Sequence, residues 1–202
     1  MSAQPDRGER RADVSRQTKE TQIELALNLD GAGRAEIDSP AGFLNHMLTL
    51  LARHAAVDLV VKAAGDTEVD LHHTVEDTGI CLGQALEEAL GDRAGIARFA
   101  SVAVPMDEAL AEVSLDLSGR PFLVYNVTFP GERVGEFETE LVEAFLQGFV
   151  NHARATLHVT VPYGANDHHI AEAIFKGVAR ALRAAVARDP RGGGIPSTKG
   201  VL

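Results

Sequence analysis

Two short stretches hold the residues best suited to chemistry. Leu71-His72-His73-Thr74-Val75-Glu76-Asp77 sets two adjacent histidines three and four residues before a glutamate. Asp167-His168-His169-Ile170-Ala171-Glu172 repeats the arrangement about a hundred residues later. Residues three and four apart share one face of a helix. At about 100° per residue, the two histidines of each motif flank their glutamate on opposite sides, about 40° and 60° away. Each motif therefore aims two imidazoles and a carboxylate out of the first turns of a helix. That donor set suits a divalent cation of borderline hardness. Because the imidazoles diverge, one motif can serve two different ions. The pattern is neither the HExxH zinc helix nor a CxxC knuckle. A lone His-His pair is ordinarily surface or helix-cap chemistry. Four of eight histidines in two copies of one pattern argue for metal.

The elements that must position these motifs are also written twice. Leu25-Ala26-Leu27-Asn28-Leu29 and Val113-Ser114-Leu115-Asp116-Leu117 alternate apolar and polar residues before turn signals, as half-buried strands do. Helical patterns follow, GFLNHMLTLLARHA over 42–55 and LVEAFLQGFVNHARA over 141–155. Each leads to a short strand (VDLVVKA, TLHVTVP), a Gly-containing turn and a helix opened by the double histidine, ending near Leu90 and Val186. The spacing predicts two homologous repeats, about 16–100 and 101–190, after a flexible tail over 1–15. The last segment, 191–202, is too rich in Gly and Pro for a helix. Aligning the repeats sets His54 opposite His152, so His46 should have its counterpart at 144. Position 144 is Ala. A symmetric two-metal scheme is one ligand short.

Composition narrows the partners. At 202 residues and 45% hydrophobic content the chain can bury a core. No apolar run approaches the roughly 20 residues of a membrane span. The polar MSAQPDRGERRADVSRQ stretch lacks the apolar centre of a signal peptide. The single cysteine, Cys81, rules out an intrachain disulfide, fits a reducing cytoplasm, and is expected in the core. A formal charge of −10 offers no basic field for nucleic acid, although a small phosphorylated ligand needs only a few local cations.

HHTVEDTGI and HHIAEAIFK, together with FLNHML, RQTKET, PMDEAL, DLSGRP and PSTKG in this order, resemble the imidazoleglycerol-phosphate dehydratase family of histidine biosynthesis, from about Arg16 to Leu202. The resemblance implies an α+β fold of the ribosomal protein S5 second-domain type. In it two similar lobes, each a small mostly antiparallel sheet with two helices, sandwich the helices between the sheets. It implies 24 subunits in cubic symmetry and active sites shared between them. Two Mn(II) ions per site would be held by His46, His72, His73, Glu76, His168, His169 and Glu172. Many members carry His or Glu where this chain has Ala144. Glu143, Glu140, His152 or a water remain open as its replacement. Glu20 and Glu172 are the implied acid/base carboxylates. Glu20, Arg98, Arg120, Lys176, Ser197 and Lys199 are the implied substrate and phosphate set, with segment 191–202 closing the pocket and Asp107 a weaker candidate.

The implied reaction dehydrates imidazole glycerol phosphate to imidazole acetol phosphate. The proton to be removed lies beside an imidazole ring and is poorly acidic. Cations at both ring nitrogens would stabilise the ring anion and a diazafulvene-like intermediate, as metals acidify bound water. A carboxylate such as Glu20 would shuttle protons, worth about 10²–10⁴ in rate, while cationic residues fix the phosphate. Two rival readings stand beside this one. A metal-storage assembly explains the HHxxE pair but not the Arg/Lys/Ser set. A dinuclear hydrolase lacks its bridging Asp-rich pattern.

Overall fold

Inward-facing alternation begins earlier than the charged N-terminal composition suggests. In the computed structural model, which describes residues 9–202, Arg11–Gln17 is already a strand, β1, with Ala12 buried. It pairs antiparallel with β2, Thr21–Asn28, from Arg11↔Asn28 to Gln17↔Gln22. Arg10 anchors the entry by donating to Asp30 Oδ1 at 2.6 Å and to the Val186 carbonyl at 2.6 Å. The expected tail over 1–15 is therefore too long. Residues 1–8 of that tail lie outside the described residues. Of the charges of RRADVSRQ, which made the stretch look disordered, Arg11 and Asp13 occupy the solvent side of an edge strand.

The chain continues through β3 (Ala35–Asp38), α1 (Gly42–Ala55), β4 (Asp58–Gly65) and α2 (His72–Leu90). The second half runs β5 (Phe99–Met106), β6 (Ala109–Asp116), β7 (Phe122–Asn126), the small hairpin β8–β9 (Arg133–Val134, Phe137–Glu138), α3 (Leu141–Ala153), β10 (Thr156–Tyr163) and α4 (Asp167–Ala185). Its first strand thus starts at Phe99. The sheets are ordered β1-β2-β4-β3 and β5-β6-β10-β7. In each, three strands are antiparallel and the fourth joins in parallel, β3 on β4 and β7 on β10. The duplication read from the sequence is thus a duplication of topology, and the α+β architecture follows. No helix among the described residues is long and apolar enough to cross a membrane.

Each sheet covers its apolar face with the helix that follows its long strand, α2 on the first and α4 on the second. The other two helices cross over: α3 packs on α2 and α1 on α4, which puts the helices between the sheets. The α2–α3 contact is close because glycines remove side chains from it. A Cβ on Gly79 would stand 2.3 Å from the Phe145 carbonyl oxygen, and one on Gly83 2.4 Å from that of Phe149. Gly79→Ala should raise helix propensity by about 1 kcal/mol yet lower stability by about 1–3 kcal/mol through overpacking. Urea unfolding gives the sign directly, and a stabilised variant would contradict the packing account.

Loop anchoring shows the same economy. Asp58, first residue of β4, accepts from the backbone N–H groups of Ala32 (2.8 Å) and Arg34 (3.0 Å) and from the Arg34 guanidinium (2.5 Å). The backbone donors of Arg34 and Ala32, then the guanidinium, hold its carboxyl at about 2, below the ordinary 3.8. A depressed carboxylate stabilises the fold fully above its unfolded value, and the contribution fades as pH falls towards 2. Asp58→Asn should therefore cost about 1 kcal/mol at neutral pH, with the difference from wild type shrinking below pH 4 in thermal melts.

Candidate active site

The double-histidine motifs open their helices because a polar side chain two residues earlier takes up orphan backbone donors. Asp70 Oδ1 accepts from His72 N (2.7 Å), and Asn166 Oδ1 accepts from His168 N (2.9 Å) and His169 N (3.2 Å). In the second repeat the motif then meets α1. His46 Nε2 lies 2.8 Å and His168 Nε2 3.1 Å from Glu172 Oε1. These three ligand atoms lie within 4.8 Å of one another. Glu172 Oε2 faces the other way and accepts from Lys176 Nζ at 2.5 Å. Burial opposes ionisation of Glu172, but its bonds from Lys176, His46 and His168 outweigh this and hold it at about 2. Phe43 braces the His168 ring edge-on at 5.2 Å and rests on the buried Phe137 of β9. Two imidazoles open to solvent and one buried, ionised carboxylate fit a divalent cation of the Mn–Zn series.

The second histidine of each pair turns away from its own glutamate. His169 Nδ1 is 2.7 Å from Glu108 Oε2 in the β5–β6 turn, and its Nε2 is 3.7 Å from Asp107 Oδ2. His73 Nδ1 is likewise 3.1 Å from Asp66 Oδ2, after β4. Both rings gain basicity from these bonds, first through the carboxylate hydrogen bond. A carboxylate on Nδ1 fixes the tautomer and presents Nε2 outward, the usual support of a metal-bound imidazole. Sequence reasoning missed Asp66 and Glu108. The only pointer was PMDEAL, where Asp107 drew attention and its neighbour Glu108 makes the shorter contact.

The first repeat lacks the matching trio. His72 and Glu76 sit on α2 as His168 and Glu172 sit on α4, but α3 contributes the half-buried Ala144 where α1 contributes His46. His152 lies eight residues further along α3, about 12 Å, with Nδ1 2.9 Å from the Gly148 carbonyl oxygen. Glu140 and Glu143 line a cleft with Tyr125, Phe129 and Arg133. Among the described residues, His46, His168 and Glu172 form the one converged ligand group, so a single chain carries one assembled trio and one partial set.

Glu20 lies exposed in the β1–β2 turn, close enough to His73 to favour its charged form. Arg98 pairs with Asp116 (2.7 Å) and donates to the Pro196 carbonyl (2.8 Å), which seats the segment bearing Ser197 and Lys199 beside it. Arg120 is exposed at the end of the β6–β7 loop. Lys176 stands apart from this group, on Glu172. Cys81 is buried, and burial pushes its thiol up to about 11.

A duplicated α+β sandwich with two imidazoles and a carboxylate converging at the start of α4, and an arginine, serine and lysine group gathered near that helix's other end, fits a metal-dependent enzyme acting on a small phosphorylated substrate. The comparisons agree. The model of the family "Imidazoleglycerol-phosphate dehydratase" matches residues 39–182. The Xanthobacter autotrophicus enzyme of that name is 60% identical, covering 96% of this chain and 98% of its own. That of Methylorubrum populi is 56% identical over 96% and 100%. The crystal structure of the Staphylococcus aureus dehydratase superposes with TM-score 0.81 at 40% identity, covering 89% and 99%. That of Pyrococcus furiosus, in complex with (S)-C348, gives 0.81 at 37%, covering 94% and 100%. The chain belongs to the imidazoleglycerol-phosphate dehydratase family, and is a hydro-lyase that dehydrates imidazoleglycerol phosphate in histidine biosynthesis.

Proposed function

We propose that this chain forms imidazole acetol phosphate in the cytoplasm with two Mn(II) ions per active site, in sites shared between the subunits of a 24-mer. The convergence of His46, His168 and Glu172 carries the reading. The trio offers three donors, and the outward-turned histidines, His169 and His73, would complete a set on another subunit. Glu76 and His72 would hold the second ion. Bound there, such cations would supply Lewis-acid chemistry that makes the substrate's imidazole ring more acidic.

The chain's own residues do the rest. Glu20, with no hydrogen-bond partner on its carboxylate among the described residues, moves the proton between the carbon skeleton and the departing hydroxyl. Glu172 keeps its charge because Lys176 holds its second oxygen. Arg98, Arg120, Ser197 and Lys199 bind the phosphate, with Arg98 also fixing the backbone of the segment that covers it. Chelator-stripped protein should lose all dehydration of imidazoleglycerol phosphate and recover it with Mn(II), followed by product formation and metal analysis. Full turnover by metal-free protein would sink this reading.

A further inference from the structure

Behind the β1–β2 turn lies a polar seam that the reaction has not yet used. Thr21 and Asp77 are buried, 4% and 7% exposed, between the sheet and α2. Arg16 Nε stands 2.9 Å from Asp77 Oδ1, an ion pair without hydrogen-bond alignment. Thr21 Oγ1 donates to Asp77 Oδ2 at 2.5 Å. With that proton committed, the 3.1 Å contact between the two threonine hydroxyls has one sense, Thr18 donating to Thr21. Thr18 Oγ1 in turn accepts from the backbone N–H groups of Glu20 (3.0 Å) and Thr21 (2.9 Å). A continuous chain of contacts runs from the backbone of Glu20 to the residue next to Glu76.

The second repeat supplies an internal control. The sheet registers pair Arg16 with Ile23 and Val104 with Ala111, so Arg16, Thr21 and Asp77 correspond to Val104, Ala109 and Ala173. There the same seam is closed by apolar side chains, with Ala109, Ile170, Ala173 and Ile174 all buried. Packing a sheet on this helix therefore needs no polar atoms, and replacing buried polar pairs by apolar groups is often neutral or stabilising. The difference lies in the turn. Glu108, the counterpart of Glu20, ties its own turn by accepting from Ala165 N, Asn166 N and His169 Nδ1. That carboxylate is consumed. In the first repeat the turn is tied from behind, and the Glu20 carboxylate stays available.

We infer that Arg16, Thr21 and Asp77 are positioning residues that hold the Glu20 turn against the α2 metal motif while leaving its carboxylate unbonded. The inference rests on the acid/base role proposed for Glu20. Its test is the second repeat's own solution, the triple variant R16V/T21A/D77A, beside the single variants T21V and T21S. The triple variant should fold, assemble and bind metal as wild type does, with KM unchanged and kcat reduced about 10- to 100-fold. T21V should lower kcat in the same way, and T21S, which keeps the hydroxyl, should restore it. Wild-type kcat in the triple variant overturns the strut, as does a loss of Tm or metal that accounts for the lost activity. Should the triple variant not fold, T21V decides, and wild-type kcat there overturns the strut equally. E20Q run in parallel separates the two ideas. Full kcat in E20Q removes the reading beneath the strut, and the strut with it; an inactive E20Q beside a fully active triple variant overturns the strut alone.

Discussion

Glu172→Gln should leave a folded protein that fails to retain a cation at the His46–His168 trio and turns over at least about 10³-fold more slowly. The amide keeps the volume and one acceptor but loses the charge that draws two imidazoles to one oxygen and Lys176 to the other. A Lewis-acid cation supplies several kcal/mol of transition-state stabilisation, and about 4 kcal/mol corresponds to the stated factor. The change also leaves the Lys176 ammonium, 19% exposed, without its ion-pair partner, so a modest fall in Tm is expected. His46→Ala separates the two effects. It removes one imidazole from α1 while leaving the Glu172–Lys176 and Glu172–His168 pairs in place, so it should lose metal and activity without the stability cost. Metal content and kcat measured on both variants decide the matter. A glutamine variant that binds metal normally but is inactive would show that the Glu172 carboxylate is needed for proton transfer rather than for coordination.

The parts of the molecule that could be read directly from the chain are those whose information is local. Four helices announce themselves by apolar spacing, and the HHxxE motifs by repetition within that spacing; α1, α2 and α4 end within a residue of the expected positions. Strand β1 did not, because its apolar inward residues are only Ala12 and Val14 among five charged or polar neighbours. The supporting carboxylates were illegible for a different reason. Asp66 meets His73 only through the turn after β4, and Glu108 meets His169 only because the β5–β6 turn folds back to the start of α4. Asp77 follows the first motif with nothing local to mark it, yet it is buried on Thr21 across 56 positions of sequence. Sheet register, which no single-segment pattern encodes, brings these pairs together. The grouping of Lys176 with Arg98 came from the family resemblance; within one chain the fold sets Lys176 one helical turn beyond Glu172 and Arg98 on Asp116.

Ala144→His should raise the affinity of the weaker metal position about 10- to 100-fold, at least what the loss of an outer-shell partner ordinarily costs. The argument comes from the duplication. On α1, His46 supplies the imidazole that closes the Glu172 group, and the topology places residue 144 of α3 in the same relation to His72 and Glu76 on α2. A methyl group there supplies no lone pair. Of the chain's other candidates, His152 is engaged on the Gly148 carbonyl, and Glu140 and Glu143 line the cleft beside Tyr125. Wild-type protein should therefore show one tight and one weaker class of cation binding per chain in a chelator-competition titration. The A144H variant should show two classes of comparable strength. Position 144 is half-buried, so an imidazole has an open side into which to extend, and A144V serves as the control for added bulk without a ligand atom. Equal binding classes in the wild type would mean that Glu140 or Glu143 swings in to coordinate, and the single variants E140Q and E143Q would then identify which. Unequal classes that persist in A144H would place the deficit outside α3 and remove Ala144 as its cause.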